Sequence, residues 1–429
     1  MKIQKENSMI RQKRMLADHF MALSQVKETG TKVVYTFVPG NLAELISAFG
    51  MLPVYPEINA LQSGMRQKSR DYIREAEERG FSEDVCSYVK CDIGMMLQGN
   101  TGPTGQRLPP PDLLLLSYTG CFVFMKWFEN LKHLYPGAEI AMLHIPYMDG
   151  DGVDSGAVTY IVDQLQREVI PKLEKVSGKK LDMDTLSEKL DLSGRAEDLL
   201  VEVFESARHR PSPIDAYFGG VYYIGPIFTS FRGSQACVEY YEELLEEVTG
   251  RVKGGTGPIT PEGVLEEERY RLVVEGPPNW THFRDFWKIF YDLGAVFVGS
   301  TYTRVGGVYD DGFRHSSRNP LVNLAQYCLG CYTNRNLPRR IDLLERFITA
   351  YHADGLLVNS IKSCNSFSVG QLVMMRNLEE RLGIPVGFIE TDLVDPRYYS
   401  YSNIKNRLDS FFQMLEQRIS LGSREKAAA

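Results

Sequence analysis

The stretch "LLLLSYTGC", Leu113–Cys121, predicts a buried β-strand followed by a small-residue turn and a cysteine. Near the other end of the chain, "GLLVNSIKSC" at Gly355–Cys364 has the same order of strand, polar turn and cysteine. A helical pattern follows each cysteine. Because ligands bind at the carboxyl ends of strands in open α/β sheets, both positions favour a binding role for the cysteine over simple packing.

Strand and helix patterns alternate around both stretches, over residues 31–150 and again from Tyr270 onward. Such alternation predicts parallel sheets that are covered by helices. Residues 155–250 instead carry long helical periodicities. We therefore predict an α/β fold of two parallel-sheet lobes, with an N-terminal helix at 1–30, a first lobe at 31–153, an intervening helical section at 154–265, and a second lobe with a closing helix at 266–429.

Two local predictions concern the first lobe. The stretch "MLPVYPEINAL", residues 51–61, contains two prolines and is predicted to be a loop. Ser82 is predicted to cap a helix, which would place Cys86 one turn inside that helix. Both stretches lie close to the candidate functional residues described below.

Composition narrows the class of protein. The chain has 429 residues, a formal charge of -7 and a sequence pI near 5.7, which argues against binding to nucleic acid or to an anionic membrane. We find no signal peptide and no apolar stretch long enough to span a bilayer, and we expect a cytoplasmic protein. Seven cysteines in such a chain favour metal binding or thiol chemistry over a disulfide framework. The sequence has no Walker loop, GxSxG or HExxH motif.

Three cysteines have positions that suit an iron–sulfur cluster. Cys121 and Cys364 follow matching strands, and Cys86 lies near the start of a helix, where a thiolate is stabilised. Four cysteines are the usual complement of a cluster, so three would leave one iron open to water or substrate. The alternative is that all three are ordinary buried cysteines, and position by itself leaves both possibilities open.

Cys328 and Cys331 form a single CxxC motif in "YCLGCYTN". Such a pair is half of a zinc site or a redox dithiol, but no second pair accompanies it in the sequence. The two cysteines therefore either supply an extra cluster ligand or have a structural role. Cys237, in "SQACVEYYEELL", is predicted to be a core residue.

Three further residues are candidate proton donors. His144 ends a predicted strand, and Glu44 and Glu57 flank the same end of the first lobe. The alternative for His144 is a semi-buried histidine whose hydrogen bonds are satisfied. The alternatives for Glu44 and Glu57 are a solvated helix carboxylate and a loop carboxylate, respectively.

Several longer motifs resemble those of a known family. They are "VVYTFVPGNLAELISAFGMLP", "DVCSYVK", "LLLLSYTGC", "NSIKSCNSFSVGQ" and "GFIETDLVDPRYYS", and they occur in this order over residues 31–418. Together they resemble the subunits of 2-hydroxyacyl-CoA dehydratases and ATP-dependent benzoyl-CoA reductases. The segments "RPSPIDAYFGGVYYIGPIFTSFRG" and "CLGCYTN" are most similar to the reductase branch of that family.

The resemblance implies two flavodoxin-like lobes with a [4Fe–4S] cluster in the cleft between them. The family's cluster cysteines lie in the motifs that contain Cys86, Cys121 and Cys364 here. Cys328 and Cys331 lie outside the shared pattern, so a further ligand from this pair stays open. For a CoA thioester, Arg397 in "DPRYYS" is a candidate phosphate ligand, or alternatively a surface arginine beside tyrosines.

The resemblance also implies an oxidoreductase that takes low-potential electrons from ferredoxin. Its implied partners are a homologous cluster-bearing subunit and two activator-type ATPase subunits, which would hold the ATP and a further cluster. One-electron steps would then convert benzoyl-CoA to a cyclohexadiene-carbonyl-CoA in anaerobic aromatic degradation. The alternatives are a dehydratase subunit that removes water from a 2-hydroxyacyl-CoA by the same one-electron chemistry, and a non-catalytic scaffold or electron-relay subunit with structural cysteines.

Overall fold

A computed structural model describes residues 6–102, 105–150, 152–228, 231–305 and 312–428, so the first five residues of the predicted N-terminal helix lie outside the described residues. The chain forms two compact units, each assembled from three stretches. The first unit comprises Met1–Glu202, Tyr223–Glu247 and Arg304–Asn336, and the second comprises Val203–Tyr222, Val248–Thr303 and Leu337–Ala429. The four sequence segments predicted above stay a prediction. Among the described helices, none is long and apolar enough to cross a membrane.

The described strands, in chain order, are β1 (Val33–Tyr35), β2 (Leu52–Val54), β3 (Leu113–Tyr118), β4 (Glu139–His144), β5 (Ile259–Thr260), β6 (Gly263–Val264), β7 (Tyr270–Glu275), β8 (Ala295–Ser300), β9 (Gly355–Ile361) and β10 (Val386–Thr391). Strands β1 to β4 form a parallel sheet in the first unit, and β7 to β10 form another in the second. Strands β5 and β6 make a short antiparallel pair. The predicted α/β class with two parallel sheets is confirmed.

The described helices are α1 (Asn7–Ser24), α2 (Val26–Thr29), α3 (Ala43–Ala48), α4 (Pro56–Met65), α5 (Ser69–Glu78), α6 (Ser87–Leu97), α7 (Val123–Leu134), α8 (Ser155–Gln164), α9 (Ile170–Ser177), α10 (Met183–Glu205), α11 (Gly220–Tyr223), α12 (Gly225–Phe228), α13 (Gln235–Gly254), α14 (Phe283–Asp292), α15 (Pro320–Gly330), α16 (Leu337–Ala350), α17 (Asn365–Ser368), α18 (Gln371–Leu382) and α19 (Tyr401–Ala428). A π-helical turn, Leu165–Val169, joins α8 to α9. Short 3₁₀ turns include Ser206–Arg208, Tyr302–Arg304, Tyr332–Asn334 and Pro396–Tyr398.

The two sheets share one strand order. The first runs β2-β1-β3-β4 and the second runs β10-β9-β7-β8. When the strands of each four-stranded sheet are numbered in chain order, both sheets have the order second, first, third, fourth, read from one edge. The third strand is β3 in the first sheet and β9 in the second, and these are the strands that lead to Cys121 and Cys364.

The core of the first unit explains why β3 is so apolar. Leu113 and Leu115 of β3 belong to one large cluster with Ala141 and Leu143 of β4, as the two-residue period of a strand requires. Leu114 and Leu116 are buried as well, because a parallel sheet is covered on both faces. Helix α15 lies much later in the sequence, yet it packs its apolar residues into this same cluster.

Both local predictions for the first lobe are wrong. Residues 51–61 are not a loop, because they form β2 and most of α4. Pro56 is the first residue of α4, a position where the missing backbone N–H costs no helical hydrogen bond. Helix α6 begins at Ser87, so Cys86 is the residue that caps this helix and does not lie inside it.

Candidate functional site

The carboxyl ends of the four parallel strands in the first sheet meet at one edge, which we call the first-sheet edge. Cys121 follows β3, His144 is the last residue of β4, and Glu57 lies in the first turn of α4, just after β2. This edge is where ligands bind in open α/β sheets. The structure thus brings three of the predicted residues to one edge of one sheet.

The three predicted cluster ligands are all partly exposed, and each lies at or just before the start of a helix. Cys86 caps α6, Cys364 caps the single turn α17, and Cys121 stands two residues before α7, and each is partly exposed. Cys86 therefore lies at the end of α6 that carries the partial positive charge of the helix. Gly120, immediately before Cys121, has a φ of 77°, a left-handed conformation that glycine adopts without strain.

The other four cysteines are fully buried, and they are Cys91, Cys237, Cys328 and Cys331. Burial raises the pKa of each of these thiols, that of Cys331 to about 12, so the thiolate form is disfavoured. Cys237 is a core residue, as predicted from its sequence. The Sγ atom of Cys328 donates to the carbonyl of Gly40 at 3.5 Å, and that of Cys331 donates to the carbonyl of Tyr327 at 3.5 Å.

The donor set fits an iron–sulfur cluster in kind. The three cysteines predicted to bind iron are the partly exposed ones, whereas the other four are bonded to backbone carbonyls or packed in the core. No three His, Cys, Asp or Glu side chains within the described ranges lie close enough together to hold a metal ion. The assignment of Cys86, Cys121 and Cys364 as ligands therefore stays a prediction.

Glu57 is a carboxyl group that keeps its proton at neutral pH. Its Oε2 atom accepts a hydrogen bond from the backbone N–H of Val38 at 2.5 Å. Burial raises the pKa of Glu57 to about 8, although this hydrogen bond acts in the opposite direction. The alternative interpretation of Glu57 as a loop carboxylate is wrong, because the residue belongs to α4.

Glu44 is fully buried on α3, so the alternative interpretation of it as a solvated carboxylate is wrong. Its Oε1 atom accepts hydrogen bonds from Arg232 Nε at 2.8 Å and from Ser193 Oγ at 2.6 Å. Burial by itself would raise the pKa of Glu44, but Arg232 and His315 outweigh it and lower this pKa to about 2. An ionised carboxylate has no proton to give, so this geometry argues against the predicted role of Glu44 as a proton donor.

Glu44 belongs to what we call the buried ion cluster, which comprises Glu44, Ser193, Glu197, Arg232 and His315. A terminal nitrogen of Arg232 lies 2.9 Å from Glu197 Oε1, and His315 Nδ1 lies 2.7 Å from the same oxygen. The backbone N–H of His315 donates to Glu197 Oε2 at 2.8 Å. All these side chains are inaccessible to solvent, so each charge depends on its neighbours for compensation.

Sequence reasoning missed the buried ion cluster, although α10 carries a signal for it. Leu186, Leu190 and Leu200 mark the buried face of this helix, and Ser193 and Glu197 fall on the same face. A glutamate in register with buried leucines indicates a buried ion pair. Its partner was not identifiable, since Arg232 lies 35 residues away in sequence.

The two remaining candidates have defined positions. His144 is exposed, and its ring stacks on Tyr118 with a centroid distance of 6.0 Å, so the alternative of a semi-buried histidine is wrong. In the second unit, the guanidinium of Arg397 pairs with Asp395 at 2.6 Å. A CoA phosphate would have to share or displace this carboxylate. Neither the proton-donor role of His144 nor the CoA role of Arg397 is tested by these contacts.

Residues 36–415 match the family described as 2-hydroxyglutaryl-CoA dehydratase, D-component, and the chain belongs to this family. It is 61% identical to the B subunit of benzoyl-CoA reductase from Thauera aromatica over 97% of the chain and 96% of that protein. It is 26% identical to the (R)-2-hydroxyisocaproyl-CoA dehydratase alpha subunit of Clostridioides difficile, over 96% of this chain and 97% of that protein. It is 25% identical to the (R)-phenyllactyl-CoA dehydratase alpha subunit of Clostridium sporogenes, over 91% of each chain. The family resemblance drawn from the motifs is confirmed.

Proposed function

We propose that this chain is the B subunit of an ATP-dependent benzoyl-CoA reductase and bears an iron–sulfur cluster. The observation that carries the proposal is the 61% identity to the B subunit of such a reductase along nearly the full length of both chains. Identity to the dehydratase alpha subunits is 26% or lower. The shared strand order of the two sheets also supports two flavodoxin-like lobes, whose order begins second, first, third, fourth.

Cys86, Cys121 and Cys364 would hold the [4Fe–4S] cluster in this proposal. When bound, such a cluster supplies single electrons at low potential. The ATP and a further cluster belong to two activator-type ATPase subunits, in agreement with the missing Walker loop in this chain. A homologous cluster-bearing subunit completes the complex, and ferredoxin is the electron source. Supporting observations are the partial exposure of these three cysteines and the burial of the other four.

Reduction of a benzoyl ring to a cyclohexadiene consumes two electrons and two protons. Glu57 is suited to hold one of these protons on its buried carboxyl at the first-sheet edge. A general acid works best when its pKa lies near the working pH, and a value of about 8 meets this condition. His144 at the same edge is the second candidate, whereas the ionised Glu44 is better suited to a structural role.

The ratio of reductant consumed to product formed tests the proposal. The complex is assembled with its ATPase subunits, ferredoxin and ATP, and given benzoyl-CoA. A reductase uses two electrons for every ring reduced, so consumption is expected to rise in proportion to product. A dehydratase recycles its electron, and the 25–26% identity to dehydratase alpha subunits makes it the second candidate. Turnover of a 2-hydroxyacyl-CoA with only catalytic consumption of reductant would contradict the reductase assignment.

Glu57→Gln is expected to flatten the pH dependence of stability. The native carboxyl, with a pKa of about 8, keeps a proton that the unfolded chain releases above its ordinary value of 4.5. Its contribution to stability is therefore fully present below about pH 4.5 and is lost as the pH rises through about 8. The free energy of unfolding, measured in urea at about pH 5.5 and about pH 8.5, should fall less in the variant than in the wild type.

Glu78→Gln serves as the control, because Glu78 is an exposed residue of α5 whose side chain pairs with Arg74. Its loss of stability between the two pH values should match that of the wild type. Equal losses in Glu57→Gln and the wild type would show that Glu57 does not keep its proton at neutral pH. The proposed proton-donor role would then lose its basis.

A further inference from the structure

The CxxC motif lies in a segment that the proposed function does not use. We call Cys328–Arg335 the CxxC segment; it comprises the end of α15 and the 3₁₀ turn that follows. This segment comes after β7 and β8 of the second unit in sequence, yet it belongs to the first unit. Three of its contacts there involve the loops that leave the first-sheet edge.

The first contact is with the loop that follows β1. The Sγ atom of Cys328 donates to the carbonyl oxygen of Gly40 at 3.5 Å. Gly40 has a φ of 63°, and a Cβ atom at this position would lie 3.7 Å from the Sγ of Cys331 and 2.5 Å from the methyl carbon of Thr119. The two thiols therefore pack beneath a turn that has no room for a side chain.

The second contact is with the turn between β3 and Cys121. The hydroxyl of Thr333 donates to the carbonyl oxygen of Thr119 at 2.8 Å. A Cβ atom on Gly120 would lie 2.3 Å from the carbonyl oxygen of Thr333, so the two backbones are in direct contact there. Cys121 is the next residue. Thr333 thus fixes the backbone one and two residues before a proposed iron ligand.

The third contact is with the loop that follows β4. The side-chain amide of Asn334 donates to the carbonyl oxygen of Pro146 at 2.9 Å, and the backbone N–H of Met148 donates to the Asn334 carbonyl at 3.2 Å. Met148 and Arg335 also form a parallel β-bridge. The CxxC segment therefore joins the loops that follow three of the four strands in this sheet.

The CxxC segment is itself held in shape by short-range bonds. Arg335 Nε donates to the carbonyl of Gly330 at 2.9 Å, and the Asn334 amide donates to that of Leu329 at 3.0 Å. Cys331 Sγ donates to the carbonyl of Tyr327. These bonds fix the conformation of the segment, so it can impose its shape on the turns that it contacts.

We infer that the CxxC segment supplies no iron ligand and instead positions Cys121, with Thr333 as the positioning residue. This inference rests on the proposed function, because it takes Cys121 to be an iron ligand. Cys328 and Cys331 are fully buried, and their thiols donate to backbone carbonyls. Thr333, in contrast, donates to the turn that immediately precedes Cys121. Mutating the partners that hold a metal ligand in place commonly lowers metal affinity by about 10–100-fold.

Three variants of the full-length chain test the inference. Thr333→Val removes the hydroxyl at nearly constant volume, and Thr333→Ser keeps it. Thr159→Val is the matched control, since the Thr159 hydroxyl is exposed and bonds within α8 to the Ser155 carbonyl. The readouts are iron per chain after dilution into chelator, the electron paramagnetic resonance spectrum of the reduced protein, and the alkylation rate of Cys121 in the iron-free chain, resolved by peptide mass spectrometry.

Thr333→Val is expected to lower iron retention by about tenfold or more, to alter the spectrum, and to change the alkylation rate of Cys121. Thr333→Ser and Thr159→Val should behave as the wild type. Wild-type behaviour of Thr333→Val in all three readouts would overturn the inference, as would equal defects in the Val and Ser variants. A further outcome is that the wild type binds no iron while Thr333→Val, alone among the three variants, changes the alkylation rate of Cys121. In that case the proposed function fails, but the positioning of Cys121 by Thr333 stands.

Discussion

Cys121→Ser is expected to abolish ring reduction and to lower the iron content of the chain. A serine hydroxyl is a poor substitute for a thiolate, and Cys121 is the proposed ligand at the end of β3. Mutating a ligand's supporting partner costs about 10–100-fold, so losing the ligand itself should cost more than about 100-fold in activity. Activity is measured in the reconstituted complex, and iron and sulfide are measured in the subunit purified without oxygen.

Cys237→Ala is the matched control for Cys121→Ser. Cys237 is fully buried in the first unit, and its replacement removes a thiol that the proposal gives no role in iron binding. We expect this variant to keep its iron and its activity, with a modest loss of stability from the smaller side chain. Wild-type activity in Cys121→Ser, or an iron-free wild type that is fully active in the complex, would contradict the cluster assignment.

Arg232→Met is expected to cost about 3–5 kcal/mol in the free energy of unfolding. Arg232 lies between Glu44 and Glu197, and none of the three side chains has contact with solvent. Removing the guanidinium takes away the positive charge that contacts both buried carboxylates, and this is far more costly than the loss of an exposed pair. Equilibrium unfolding in urea measures the difference.

A control variant and a double variant accompany Arg232→Met. Arg195→Met removes an arginine that pairs with Glu242 on the surface, and it should cost no more than about 1 kcal/mol. Adding Glu44→Gln to Arg232→Met removes one of the uncompensated charges, so the double variant should recover part of the lost stability. If Arg232→Met costs as little as Arg195→Met, the buried ion cluster is not a major source of stability.

The class of the fold was predictable because its central strands are unambiguous. Strands β3 and β9 are covered on both faces, and each therefore begins with an apolar run in the sequence: Leu113–Leu116 in β3 and Leu356–Val358 in β9. Strand β2 was missed because three residues are too few to establish a period. Its Pro53 also argues against a strand, but β2 lies at the edge of its sheet, where proline is tolerated.

Candidate site residues were predictable where local sequence determines their position. Cys121 and Cys364 follow apolar strands, so their place at a sheet edge could be predicted without knowledge of the rest of the chain. The burial of Glu44 could not, because its partner Arg232 lies 188 residues away. The role inferred for Thr333 likewise depends on Thr119, which is 214 residues distant. Contacts of such long range leave no periodic pattern in a single sequence.

Arg304–Asn336 belongs to the first unit although it follows much of the second in sequence, and this affects folding during synthesis. Helix α15 contributes to the core that surrounds β3 and β4, and the CxxC segment bonds to the turns at the end of that sheet. A nascent chain lacks both until the ribosome has passed residue 336, by which time β7 and β8 have already been synthesised. The first unit therefore completes its core only after much of the second has been synthesised, which prolongs the time during which its apolar residues lack their final partners.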